Sequence, residues 1–122
     1  MVEGRLATLV QPHLAPDETV AGAAVVWAAR LGTTPTWLTG RHRHSLVLTD
    51  RRLLVFERRR HDDAPVVDER LEALTLDRTR RVLWFSQVVV EARGRRLLFE
   101  FRARDRATRA AFVTSLHARQ PA

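Results

Sequence analysis

The sequence predicts a mainly β (α+β) fold with about seven antiparallel strands, an N-terminal amphipathic helix and a C-terminal helix. Its apolar runs are mostly short and rich in β-branched residues, and two pairs of these runs are separated only by turn-forming residues. Because nearly all connections are short, the strands must form a meander that closes on itself or is capped by a helix. A chain of 122 residues, 45% of them hydrophobic, can bury one small core.

Residues 1–14 are predicted to form the N-terminal helix. Val2, Leu6, Leu9 and Val10 recur at the spacing of a single helical stripe, and Pro12 and the residues after it end the helix. This apolar stripe needs an apolar surface to pack against, either in its own chain or in another one.

The first half of the domain is predicted to contain a long strand and a hairpin. Residues 19–30 are small, β-branched or aromatic and are interpreted as a strand, although a run of this length also fits a buried helix. After a loop rich in glycine, threonine and proline, two strands at residues 45–49 and 52–57 are separated only by Asp50 and Arg51. We expect the Asp50 side chain to close this hairpin by bonding backbone amides two residues further on.

The second half contains further strands and a second hairpin. Residues 66–70 form a modest strand, and an alternation of apolar residues follows that is interrupted over residues 78–81. Strands at 88–92 and 97–101 flank the sequence R-G-R-R, in which Gly94 supplies the positive φ of a tight hairpin.

The last predicted element is a helix that begins near Asp105, an acceptable N-cap. Phe112, Val113 and Leu116 share one face of this helix, one turn after Arg109, whose stem can cover apolar surface. We expect that face to dock on the sheet.

Two sequence motifs resemble the bacterial pleckstrin-homology-like (PH-like) domain family. They are H-L-A-P-D-E-T-V at residues 13–20 and L-V-L-T-D-R-R-L-L-V-F at residues 46–56. The resemblance spans residues 13–119 and implies a PH-like domain at 15–119: a partly open barrel of two nearly orthogonal antiparallel sheets, plugged at one end by the C-terminal helix. It also implies that Asp50, Arg51 and Arg52 are structural residues of the turn and the sheet edge.

The same resemblance implies a basic rim. PH domains that bind inositol lipids use a cation on strand one and a basic-x-Arg pair on strand two, and other members add residues from the loops after strands three and six. The matching positions here are Arg30, Arg41, Arg43, Arg58, Arg59, Arg60, Arg93, Arg95 and Arg96. If they converge on one open end, these guanidinium groups can bind the phosphate of a lipid headgroup or a phosphopeptide. The alternative is a solvated basic rim without a specific ligand, since the chain has 21 basic residues.

Trp37 and Leu38 lie in the predicted first loop, beside Arg41 and Arg43. The indole can fold back on its own barrel, contact a partner protein, or insert into the interface of an anionic membrane. All three hypotheses remain open at the level of sequence.

The residue inventory argues against an enzyme. The chain contains no cysteine and no tyrosine, it has no lysine, and none of its three serines lies in a Gly-x-Ser-x-Gly motif. His42 and His44 would share one side of a strand, with His61, Asp62 or Asp63 as candidate third metal ligands, but the neighbouring arginines repel a cation. We therefore expect no cofactor, no metal and no small-molecule substrate.

These observations predict a cytoplasmic, non-enzymatic binding or scaffold module that mediates protein–protein contacts or self-association. The longest apolar run is too short for a membrane-spanning helix, and no signal-peptide pattern follows the charged N-terminus. The formal charge of +7 leaves two alternatives, namely peripheral binding to anionic lipid and nonspecific nucleic-acid binding.

Overall fold

The computed structural model describes residues 10–31, 42–57, 65–81 and 85–119. Seven strands and one helix lie in these ranges: β1 (Val20–Leu31), β2 (His42–Thr49), β3 (Arg52–Glu57), β4 (Val67–Arg70), β5 (Leu74–Arg81), β6 (Phe85–Ala92), β7 (Arg95–Arg102) and α1 (Arg106–Arg119). Three-residue 3-10 turns occur at Gln11–His13, Leu71–Ala73 and Ala103–Asp105. All neighbouring strands are antiparallel and follow the order β4-β3-β2-β1-β7-β6-β5.

The predicted fold class is confirmed, with one refinement. The long strand β1 pairs with β2 over most of its length and with β7 from Val26 to Leu31, so the two expected sheets are halves of one continuous sheet. β4 and β5 lie at opposite ends of this sheet, yet only the turn Leu71–Ala73 separates them in the chain. Such a link spans at most about 14 Å. The sheet must therefore curl until its two edges approach each other, and within the described residues these edges do not pair.

The inner face of the curled sheet forms the main core, and α1 closes it. Phe99 and Phe101 of β7 are almost completely buried, as are Phe112 and Leu116 of the helix. The Phe112 ring lies 6.2 Å from that of Phe99 and 6.4 Å from that of Phe101, between centroids. The predicted docking face of the C-terminal helix is thus confirmed for these residues, while Val113 is half-buried at its margin.

A second, smaller core lies on the outer face of the sheet. Val10 is buried there against Val47, Leu54 and Phe56 of β2 and β3, and the His13 ring lies 5.5 Å from the Phe56 ring. Residues 1–9, which carry the rest of the predicted apolar stripe and most of the predicted N-terminal helix, lie outside the described residues. For Val10, the apolar partner is the chain's own sheet.

Residues 78–81, where the apolar alternation is interrupted and the sequence leaves the strand boundary open, continue β5. β5 continues through Arg81 and pairs with β6 up to Ser86. The pairing register shifts between Leu76 and Arg78, so Asp77 is an extra residue in a β-bulge. This bulge breaks the apolar alternation in the sequence without ending the strand. Val82 and Trp84 lie outside the described residues.

The second hairpin is confirmed. Only Arg93 and Gly94 connect β6 to β7, and their φ angles are 53° and 78°. Positive φ at both central residues is the signature of the two-residue turn that matches the twist of a β-hairpin.

Candidate functional site

The two motifs on which the resemblance rests are in direct contact with each other. Arg51 donates from Nη2 to Oδ2 of Asp17 at 2.6 Å. Arg52 donates from Nε to Oε2 of Glu18 at 3.0 Å and from Nη2 to Oε1 at 2.7 Å. Both pairs join residues that are 34 positions apart. The P-D-E sequence and the T-D-R-R turn therefore form one contact set, here called the latch (Asp17, Glu18, Thr49, Arg51 and Arg52).

The Thr49 side chain closes the first hairpin. The Thr49 hydroxyl oxygen accepts hydrogen bonds from the backbone amides of Arg51 at 3.1 Å and Arg52 at 2.8 Å. Asp50 accepts the Thr19 amide through Oδ1 at 3.0 Å and donates its own amide to the Thr19 carbonyl at 2.9 Å. The Arg52 amide, which is two residues after Asp50, thus donates to Thr49, and the Asp50 side chain also ties the turn to the start of β1.

Glu18 is the buried centre of the latch, with a side chain only 1% exposed. Besides the two bonds from Arg52, its carboxylate accepts the Thr49 hydroxyl at 2.6 Å and the Ala15 amide at 3.1 Å. The Arg52 guanidinium lowers the pKa of Glu18 to about 2, with further help from Thr49 and Ala15, and this outweighs the opposing effect of burial. The carboxylate is therefore fully charged at neutral pH.

Arg52 connects the latch to β4 and to the segment before β1. Its Nη1 donates to both carboxylate oxygens of Asp68, at 3.1 and 3.2 Å, and its Nη2 also donates to the His13 carbonyl. Hydrogen bonding to Glu18 raises the pKa of Arg52 further. Arg51 in turn lowers the pKa of Asp17 on the exposed side of the latch. The predicted structural role of Arg51 and Arg52 fits these contacts.

A cleft of about 890 Å³ adjoins the latch. We call it the hairpin cleft; it lies between residues 13–18, the first hairpin, β4 with the following 3-10 turn, and Arg93. Every arginine that lines it is close to a carboxylate: Arg51 to Asp17, Arg52 to Glu18 and Asp68, Arg93 to Glu69 at 3.1 Å, and Arg70 to Glu72 at 4.0 Å. Because these charges balance, the hairpin cleft offers no excess of positive charge to an anion.

The predicted basic rim is only partly within the described residues. Arg43 is exposed on β2, with its guanidinium carbon 5.4 Å from the centroid of the Trp27 ring, in a cation–π contact. Arg93 pairs with Glu69 and so belongs to the hairpin cleft. Arg96 lies 3.9 Å from Asp77, and Arg95 is exposed at the start of β7.

The other predicted rim residues are not described at the level of side chains. The backbone of Arg30 lies opposite Leu97 at the end of β1. Arg41, Arg58, Arg59, Arg60, Trp37 and Leu38 lie outside the described residues. The convergence of the rim on one open end therefore stays a prediction.

The same limit applies to the candidate metal ligands, since His61, Asp62 and Asp63 also lie outside the described residues. Within the described ranges, no three histidine or acidic side chains are grouped closely enough to hold a metal ion. No helix in those ranges is long and apolar enough to cross a membrane.

A basic strand that the sequence analysis missed lies at the edge of the sheet. All five residues from Asp77 to Arg81 are exposed, including Arg78, Arg80 and Arg81 of β5. None of these three arginines forms an ion pair with another residue of the described ranges. The R-x-R-R spacing carried the signal, because it places two arginines on one face of a strand and the third on the other.

Comparisons with known proteins support the fold. No protein family and no curated protein matches the sequence. A structure from a systematic screen for protein–lipid interactions in Saccharomyces cerevisiae is similar with a TM-score of 0.57 and 17% identity, over 84% of this chain and 98% of that chain. The truncated linker-DH/PH domains of p115-RhoGEF are similar with a TM-score of 0.57 and 11% identity, over 98% of this chain and 36% of that chain. At these identities the likeness shows a PH-like fold and nothing further.

Proposed function

We propose that this chain is a non-enzymatic binding module with a PH-like fold that contacts another protein through acidic groups of that protein. The observation that carries the proposal is the contrast between two sets of arginines. Those of the hairpin cleft are each close to a carboxylate, whereas Arg78, Arg80 and Arg81 are exposed and make no ion pair within the described residues. Guanidinium groups without a carboxylate partner bind anionic groups strongly and bidentately.

The geometry favours a different protein over a second copy of the chain. Val10, one member of the stripe that motivates self-association, is buried on the chain's own sheet. The β4 edge is only four residues long, and its Asp68 and Glu69 are already bonded to Arg52 and Arg93. Short, charged edges discourage pairing between copies of a sheet.

Peripheral binding to an anionic membrane is the second candidate function. Exposed Arg43 beside Trp27 is one described part of the predicted basic rim, and a guanidinium next to an indole suits the interface of a charged bilayer. The similarity to a structure from a protein–lipid screen also supports this candidate.

A binding panel at about 0.15 M salt separates these functions. The panel contains a glutamate-rich peptide, vesicles with and without phosphatidylserine, and duplex DNA, and sedimentation reports the oligomeric state. We expect the wild-type chain to be a monomer that binds the glutamate-rich peptide. The double variant Arg78→Glu with Arg80→Glu should not bind this peptide. The matched control, Arg104→Glu with Arg106→Glu, reverses two exposed arginines outside β5 and should retain binding.

Three results would contradict the proposal. One is a concentration-dependent dimer, and another is equal loss of peptide binding in the control variant. The third is binding to phosphatidylserine vesicles alone, reduced by Arg43→Ala and by Trp37→Ala, which would select the membrane function instead. Retention on DNA that falls steeply with salt in every variant would indicate nonspecific polyanion binding.

A further inference from the structure

The outer edge of β5 has no strand partner in the described part of the chain. β5 ends the strand order and pairs only with β6. In an antiparallel pair, alternate residues direct their amide and carbonyl groups away from the partner strand. Over residues 77–81, alternate backbone groups therefore face away from β6 and have no strand partner among the described residues.

The side chains of this edge alternate in a defined way. By pairing register, Arg78 lies opposite Val89 and Arg80 opposite Gln87 on the outer face of the sheet. Arg81 lies opposite Ser86 and so belongs to the other face. All three are exposed. The edge thus offers two guanidinium groups on one face and a third on the opposite face.

We propose that β5 receives an extended acidic segment of a partner protein, which adds to the sheet as a further antiparallel strand. This inference rests on the proposed function and specifies its partner. The backbone edge would supply the hydrogen bonds, and the arginines would supply the selectivity through cross-strand pairs of opposite charge. The five exposed residues from Asp77 to Arg81 match a docked segment about 17 Å long.

The register of β5 predicts the order of acidic residues in the partner. A strand that runs antiparallel to β5 meets Arg81 first, then Arg80, Thr79 and Arg78. An acidic residue opposite each arginine gives the sequence acid-acid-x-acid. The reverse order, acid-x-acid-acid, would place one acid opposite Thr79 and leave Arg80 without one.

Charge also explains why an acidic strand is favoured over a second β5. An antiparallel pair of two copies centred on Thr79 would place Arg78 of each copy opposite Arg80 of the other. Like charges directly opposite each other destabilise a sheet, whereas opposite charges stabilise it. The same register also places Asp77 of each copy opposite Arg81 of the other, so two copies combine two like-charge pairs with two opposite-charge pairs. An acidic strand gives an opposite charge at all three arginines, and it is therefore favoured over a second copy.

Fluorescence anisotropy with labelled peptides tests this inference. The probe has alternating β-branched positions and glutamates in the order Glu-Glu-x-Glu, and two comparison peptides have the reversed order or N-methyl groups on alternate amides. We expect the wild-type chain to bind the probe about tenfold more tightly than either comparison peptide, because both disrupt the antiparallel ladder or its charge pairs. The variant Arg78→Glu with Arg80→Glu should no longer bind the probe, and it should bind a peptide in which lysines replace the glutamates opposite residues 78 and 80. The control variant Arg104→Glu with Arg106→Glu should bind the probe like the wild type.

A second measurement does not depend on the folding of any variant. In the wild-type chain, the probe should slow hydrogen exchange at outward-facing amides of residues 77–81, and the N-methylated peptide should not. If all acidic peptides bind equally well and exchange at β5 is unchanged, strand addition is wrong while the proposed acidic partner stands. If no acidic peptide binds, the proposed function itself is wrong.

Discussion

Replacing Glu18 with glutamine should destabilise the fold by an amount that depends on pH. The Glu18 carboxylate is buried and accepts bonds from Arg52, Thr49 and the Ala15 amide. The substitution keeps the shape of the side chain and removes its charge. An amide accepts fewer of these bonds and leaves the half-buried Arg52 guanidinium without its carboxylate partner Glu18.

The size of the effect follows from the pKa of Glu18, which is lowered from 4.5 to about 2 in the folded chain. Each tenfold change in the acid dissociation constant is worth about 1.4 kcal/mol, so the charged latch contributes about 3 kcal/mol. Above pH 4.5 this contribution is fully present, because both the folded and the unfolded chain carry the charge. As the pH falls toward about 2, the unfolded chain takes up a proton that the folded chain does not, and the contribution is lost.

Urea denaturation at several pH values measures this prediction. At pH 7, Glu18→Gln should lose about 3 kcal/mol of unfolding free energy, or about 10 °C in Tm. At pH 3.5 the difference from the wild type should shrink by about 1.4 kcal/mol. Glu91→Gln, at an exposed position of β6, is the matched control and should stay within about 0.5 kcal/mol. A Glu18→Gln protein that unfolds like the wild type at pH 7, or a difference that does not change with pH, would refute the charged-latch reasoning.

Three further substitutions test the turns and the core by urea denaturation. Thr49→Val should cost about 1–3 kcal/mol of unfolding free energy, because the amides of the first turn lose their acceptor. The control Thr75→Val, at an exposed position of β5, should be nearly neutral. Equal effects of the two substitutions would contradict the role of Thr49. Gly94→Ala should cost about 1 kcal/mol of unfolding free energy. The cost comes from the φ of +78° alone, since an added Cβ meets no atom within 4 Å. A loss beyond about 3 kcal/mol would indicate an unrecognised contact. Phe112→Ala should cost about 3–5 kcal/mol of unfolding free energy, because the ring is completely buried between α1 and the sheet. A loss below about 1 kcal/mol would mean that α1 does not close the core.

The strands and hairpins could be predicted because their signals are local. The turn at Asp50 and Arg51 is flanked by apolar runs, and Gly94 marks the other hairpin with a residue that adopts positive φ at no cost. The buried face of α1 followed from helical spacing around Phe112. Each of these inferences needs only a window of a few residues.

The latch could not be predicted in the same way, because its contacts join residues 34 positions apart. Both motifs were visible, but nothing within either one shows that Asp17 and Glu18 would meet Arg51 and Arg52. Only the antiparallel approach of β1 to β2 brings Val20 beside Thr49 and so aligns the two pairs. The bond from the Thr19 amide to Asp50 could not be predicted for the same reason, since it joins residues 31 positions apart.

The β5 site was missed because a bulge conceals it. Strand recognition depends on a period of two, and the extra residue Asp77 shifts that period between Leu76 and Arg78. The following R-T-R-R sequence then reads as a charged interruption. Pairing with β6 is what identifies it as strand, and this pairing is a property of the assembled sheet.

The latch and the β5 edge are linked through the charge balance of the whole chain. A formal charge of +7 means that the chain has seven more arginines than acidic side chains. Where the segment before β1 docks, Asp17, Glu18 and Asp68 neutralise the arginines of the first hairpin, so this region is stabilised by its own acids and has little to offer an external anion. The excess must therefore be exposed elsewhere. Part of it lies on the edge strand β5, where Arg78 and Arg80 disfavour pairing with a second copy relative to pairing with an acidic strand. A chain that placed its surplus arginines in the hairpin cleft and its acids on β5 would have the same net charge, yet it would weaken the latch and repel the acidic partner that β5 is proposed to bind.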